Sequence, residues 1–149
     1  MIRVRTVMYT GLLATTLGLG ACGMMPMMSH SSSVTARLSG ASEVPPTSSA
    51  ASGTLDASMN KDTNVLSWTV TYTGLSGPAT GGHFHGPAMA GQNAAVVLPF
   101  AGSLASPIKG TATLTAAQAG DVMAGRWYVN LHTAANPGGE IRGQVSVAP

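Results

Sequence analysis

The sequence predicts an all-β fold: an antiparallel β-sandwich or Greek-key barrel of about seven or eight strands with one short helix. Three observations carry this. From residue 34 onward apolar residues recur at every second position, the period of a half-buried strand. Turn formers separate these stretches, the chain holding 19 glycines and 9 prolines. One segment alone, around residues 115–124, departs from that period toward helix formers.

The N-terminus supplies an address. Arg3 and Arg5 precede an apolar run from Val7 to Leu19 that closes in Leu19-Gly20-Ala21-Cys22. A membrane span needs about 20 mostly apolar residues, so this shorter run reads as a secretory signal. The small residues before the only cysteine resemble a bacterial lipobox. That resemblance implies cleavage after residue 21, lipidation of Cys22 and a lipid anchor in the membrane. Gly23 stands where aspartate would signal retention in the inner membrane. In a diderm host this implies the outer membrane, on its periplasmic side or at the cell surface.

Removal of residues 1–21 takes away Arg3 and Arg5, leaving five basic and five acidic residues and no formal net charge. Five scattered cations build no basic face for nucleic acid. With Cys22 lipidated there is no thiol for a disulfide, so an exported domain of ordinary size must be held by its core.

Residues 22–33 read as a flexible tether. Met24, Met25, Met27 and Met28 flank Pro26, and Ser29, His30 and three serines follow. Thioethers are soft ligands, so this run is also a candidate for copper(I).

The domain proper spans residues 34–149. Its clearest strand is Leu66–Thr73, where Leu66, Trp68, Val70 and Tyr72 share one face and Ser67, Thr69, Thr71 and Thr73 the other. Further strands are expected at Thr35–Leu38, Gly53–Met59, Gly81–His85, Ala95–Phe100, Lys109–Leu114, Arg126–Thr133 and Glu140–Val147. Turns are expected at Pro45-Pro46, Asn60-Lys61-Asp62, Gly74–Pro78, Gly86-Pro87, Pro107 and Asn136–Gly139. Thr115 is suited to cap a helix of one or two turns that Gly125 ends, with Leu114, Val122 and Met123 packing inward. Trp68 and Trp127 are expected in the core rather than exposed for stacking on a sugar.

Several motifs, in order, resemble one family. They are Leu38-Ser39-Gly40-Ala41-Ser42-Glu43-Val44-Pro45-Pro46, Gly82-His83-Phe84-His85-Gly86-Pro87, Trp127–Thr133 and Gly138-Gly139-Glu140-Ile141-Arg142-Gly143. The set resembles the CHRD domain, named from chordin and also found alone in bacterial exported proteins, across about Val34 to Val147. The resemblance implies an all-β extracellular module without assigned enzymatic activity.

Three of the four histidines fall in these motifs. In a strand, residues i and i+2 project from the same face about 6.6 Å apart, so His83 and His85 present two imidazoles while Phe84 turns away. In Arg126–Thr133 the polar phase holds Tyr128, Asn130 and His132; in Glu140–Val147 it holds Glu140, Arg142 and Gln144. A hairpin through Asn136–Gly139 would bring His132 beside Glu140. Two readings stay open. One is a copper or zinc site of His83, His85 and His132, with Glu140 as fourth ligand or as the carboxylate that orients a ligand histidine. The other is a buried polar network of these residues with Asn130 and Arg142. Glu43 is expected at an edge-strand exit, bonded to a nearby amide.

The favoured function is a lipid-anchored binding or structural module of the CHRD type, without catalysis. The first alternative is a metal-binding envelope protein using the histidine set. The second is a redox enzyme, because His-x-His on a sandwich strand is similar to copper–zinc superoxide dismutase. Against it, the chain lacks further histidines for a bridged two-metal centre. No Gly-x-Ser-x-Gly elbow and no carboxylate pair point to a hydrolase.

Overall fold

The computed structural model describes residues 30–148. The expected signal peptide, Cys22 and the tether through Ser29 lie outside the described residues. Within them the chain runs β1 (Ser31–Ser39), β2 (Ser52–Asn60), β3 (Val65–Thr73), β4 (Ala79–His85), β5 (Val96–Pro99) and β6 (Ile108–Thr113). It continues through α1 (Ala116–Met123), β7 (Tyr128–Thr133), β8 (Ile141–Gln144) and β9 (Ser146–Val147). The fold is all-β with one helix, as the alternation predicts.

β1 starts before the expected Thr35 and takes in Ser31–Ser33, which composition assigns to the tether. Pairing explains the difference: these serines lie opposite Asn60, Met59 and Ser58 of β2. A ladder bonds backbone to backbone, so a polar run joins it once a long partner strand is present. The last expected strand, Glu140–Val147, divides into β8 and β9 at Val145, whose amide donates to the Trp127 carbonyl at 3.0 Å.

All pairs are antiparallel, in the order β5-β4-β7-β8-β1-β2-β3-β6, with β9 added to β1. Four strands separate β3 from β4 in this sheet. Yet Trp68 of β3 meets Phe84 of β4 edge-on, ring centroids 5.4 Å apart. The sheet therefore curls until its two halves face each other. Leu38, Leu55, Leu66, Val70, Leu131 and Ile141 are all buried between them, each side chain contributing about 1.5–3 kcal/mol of hydrophobic stabilisation. Both tryptophans are buried, as expected. Gly110 of β6 lies opposite Trp68, and a Cβ there would run into the indole.

α1 forms where Thr115 predicts it. The Thr115 hydroxyl accepts from the Gln118 amide at 3.2 Å, and the Thr115 amide donates to Gln118 Oε1 at 2.9 Å, a reciprocal cap. Gly125, at φ +69°, ends it. Leu114, Ala119 and Val122 are buried; Met123 packs against the core only in part.

Candidate metal centre

The curl gives every strand an inner and an outer face. On β4, Phe84 enters the core, so His83 and His85 point outward. On β7, Val129 and Leu131 enter the core, leaving Tyr128, Asn130 and His132 outside. β4 and β7 are sheet neighbours, with His85 opposite Tyr128, His83 opposite Asn130 and Gly81 opposite His132. Across β7's other edge, Tyr128 faces Gln144 and Asn130 faces Arg142. A polar patch three strands wide results, with Asn130 at its centre.

His83 and His132 are diagonal neighbours in this patch, and Gly81 leaves their rings free to meet. A Cβ on Gly81 would lie 3.2 Å from His83 Cε1 and 3.6 Å from His132 Cδ2. His83 Nδ1 stands 3.2 Å from His132 Nε2. One ring nitrogen from each of His83, His85 and His132 lies within 4.8 Å of the other two. The three imidazoles thus converge, because β4 and β7 are neighbours in the sheet, an adjacency that the sequence leaves open.

Backbone carbonyls set two of the tautomers. His85 Nδ1–H donates to the Ala94 carbonyl at 3.0 Å, and His132 Nδ1–H to the Pro137 carbonyl at 2.9 Å. Each ring then carries its lone pair on Nε2 in the neutral state. His85 Nε2 is buried and has no hydrogen-bond partner. Burial holds His83 below the usual imidazole range, reinforced by His132 and His85. Burial also lowers His85, opposed by the Ala94 carbonyl and Asn130 and aided by His132 and Arg142. Both rings are therefore predisposed to the neutral form that a metal requires.

Loop 86–95 covers part of this face. The Ala94 amide donates to the Tyr128 hydroxyl at 3.2 Å, while the Tyr128 ring stacks on His85 with centroids 4.7 Å apart. The buried Arg142 guanidinium lies 3.4 Å over the same tyrosine ring. Its NH1 donates to Asn93 Oδ1 at 3.0 Å and its NH2 to the Gln92 carbonyl. These contacts hold the loop down and keep the carbonyl of Ala94 on His85.

Glu140 does not join the histidines. Its carboxylate accepts from the hydroxyls of Ser49 at 2.7 Å and Thr133 at 2.6 Å, and from the Ser76 amide at 2.8 Å. The Ser76 hydroxyl donates to it as well. The expectation that Glu140 is a metal ligand, or orients one, is corrected here. β8 begins only at Ile141, so the alternation does not extend back to Glu140, and the chain turns at Gly139 (φ +129°). Burial alone would raise this carboxyl, but the hydrogen bonds from Ser76, Thr133 and Ser49 outweigh it and hold it at about 2.

Asn130, Arg142 and Glu43, expected as a polar group, are all buried, but Arg142 donates to Asn93 and to the Gln92 carbonyl rather than to Glu43. Glu43 is buried, and burial pushes it up to about 7 against the opposing pull of Arg142, the Val44 amide and Asn130. Its Oε1 has no hydrogen-bond partner. His30, from the expected tether, instead bonds Asp62 through Nδ1 at 2.9 Å.

Sequence reasoning missed the carbonyls of Ala94 and Pro137, the hydroxyls around Glu140 and the space at Gly81. Backbone acceptors carry no residue signature. Tyr128 was readable as a member of the outward phase, but its stacking partners come from two other strands.

A family model described as the CHRD domain matches residues 34–145. No curated protein and no solved structure matches the chain significantly.

Proposed function

The chain belongs to the CHRD domain family, and from that premise we propose that it is an extracytoplasmic binding module whose ligand is one copper or zinc ion. His83, His85 and His132 hold the ion. Family membership supports a binding or structural role; the choice of ligand rests on this chain's own residues. The observation that carries it is the convergence of three imidazoles, two of which give their Nδ1–H to backbone carbonyls. That arrangement orients a ligand histidine and leaves its other nitrogen free for a metal. Two nitrogens at zinc-like distances of about 2.0–2.1 Å in a tetrahedral shell lie about 3.4 Å apart. The 3.2 Å between His83 and His132 suits that spacing.

A lipid on Cys22 would hold the module at the cell envelope, at the outer membrane in a diderm host. The role is binding rather than catalysis in this reading, since Glu140 is committed to hydroxyl donors and Glu43 is buried beside Arg142. A metal-dependent redox activity is separated from binding by assaying superoxide dismutation on the metal-loaded protein. Turnover beyond that of the free ion would replace the non-catalytic reading.

Elemental analysis of the full chain purified from its native membrane is the direct test. Stoichiometric zinc or copper is expected, and His83→Ala and His132→Ala should lose it. A metal-free protein that also fails to bind either added ion ends the proposal. Incorporation of labelled palmitate should vanish in Cys22→Ser, and retention of label there removes the anchor.

A further inference from the structure

We infer that Asn130 supplies a fourth ligand atom, its amide oxygen Oδ1, giving a three-nitrogen, one-oxygen site for zinc or copper(II) rather than for copper(I). This rests on the reading of the three imidazoles as a metal site.

Two acceptors face each other beside His132. His132 gives its Nδ1–H to the Pro137 carbonyl, so in the neutral ring Nε2 bears a lone pair. Asn130 Oδ1, also an acceptor, stands 3.0 Å from that nitrogen. His83 Nδ1 stands 3.2 Å from it. A neutral His83 with its proton on Nδ1 can donate to this nitrogen, but Asn130 Oδ1 has no proton to offer, so its lone pair and that of Nε2 repel unless His132 is protonated or a metal ion lies between them.

Turning the amide over would relieve the clash, but the other end of Asn130 has its own neighbour. A Cβ on Gly139 would lie 2.9 Å from Asn130 Nδ2 and equally close to Glu43 Cδ. The amide NH2 therefore sits on the side of the Glu43 carboxyl. Against the ionised carboxyl a flipped amide would set oxygen against oxygen, whereas the NH2 can donate to this carboxyl in either protonation state. An ionised Glu43 thus favours the orientation that leaves Oδ1 toward the histidines. Asn130 is 3% exposed, and its strand is bounded by those of His83 and Arg142, so its backbone is not free to turn away.

The oxygen changes which metal suits the site. Copper(I) favours soft sulfur donors; an amide oxygen added to imidazoles suits zinc or copper(II).

The test uses the full chain titrated with zinc and with copper(II). Asn130→Ala should bind each at least about tenfold more weakly, and its copper(II) form should gain an exchangeable-water signal in pulsed EPR. Asn130→Asp, which keeps an oxygen, should restore affinity and remove that signal. Unchanged affinity and spectrum in a folded Asn130→Ala overturn the inference and leave the histidine site standing. Because a variant can misfold, a crystal structure of the zinc-loaded unmodified protein decides independently. Oδ1 is expected about 2.0–2.2 Å from the ion, and an amide turned away overturns the inference. If the unmodified protein binds neither ion, the histidine site itself is what fails.

Discussion

His83 and His132, 49 positions apart in the chain, meet at 3.2 Å between ring nitrogens across the β4–β7 pairing. They meet diagonally, over a glycine. A metal at this point depends on both rings, whereas His30 bonds Asp62 at the exposed start of the described chain. Loss of either His83 or His132 is expected to weaken zinc binding beyond the roughly 10–100-fold that an outer hydrogen-bond partner contributes. Isothermal titration should show this, with His30→Ala unchanged. Equal losses in all three variants would place the ion elsewhere.

Gly81 provides room rather than backbone freedom. A Cβ at 3.2 Å from His83 Cε1 is tight, and the ring must give by a few tenths of an ångström. Gly81→Ala should therefore cost little metal affinity, about threefold or less. Gly81→Val, with two further methyls beside the rings, should cost clearly more while the melting temperature stays near that of the parent. Valine tolerated without loss of affinity would mean that the rings do not need to meet.

Glu140 stabilises the fold in its ionised form. Its folded value of about 2 lies below the ordinary carboxylate value of 4.5. The contribution is therefore complete above pH 4.5 and lost as pH falls toward 2. The shift corresponds to on the order of 3 kcal/mol. Glu140→Ala should destabilise the domain at pH 7 by about 2–4 kcal/mol, since it strands four donors on Ser49, Ser76 and Thr133, the last of them buried. Urea unfolding at pH 7 and pH 3 should show the gap between parent and variant narrowing in acid.

Glu43 acts with the opposite sign. Its folded value of about 7 lies above 4.5, so the fold favours the protonated carboxyl. That contribution is complete below pH 4.5 and lost as pH rises through about 7. Glu43→Gln, neutral at every pH, should gain on the parent by roughly 1–3 kcal/mol at pH 8 and much less at pH 4. Chemical unfolding across that range checks it; a pH-independent difference would mean that Glu43 does not titrate with folding.

Much of this protein is legible as local pattern. The alternation Leu66-Ser67-Trp68-Thr69-Val70 marks a strand and its buried face, and the same logic puts Phe84 inward and both flanking histidines outward. Thr115 with Gln118 marks a helix start, and Gly125 its end. The same pattern misleads at Glu140. Glu140 lies just outside β8, where alternation ceases to hold, and its carboxylate bonds Thr133, a residue of the opposite phase.

By itself the chain settles which face of each strand is apolar, because that depends only on residues two apart. It also settles the short helix, through Thr115 and Gln118 at its start. Strand adjacency is a different kind of fact. That β4 lies against β7, and β8 against β1, follows from how the whole sheet curls around one shared core, which no local window contains. Only that curl brings Asn130 between His83 and Arg142, lays Tyr128 against His85, and carries the carbonyls of Ala94 and Pro137 to the imidazoles they hold.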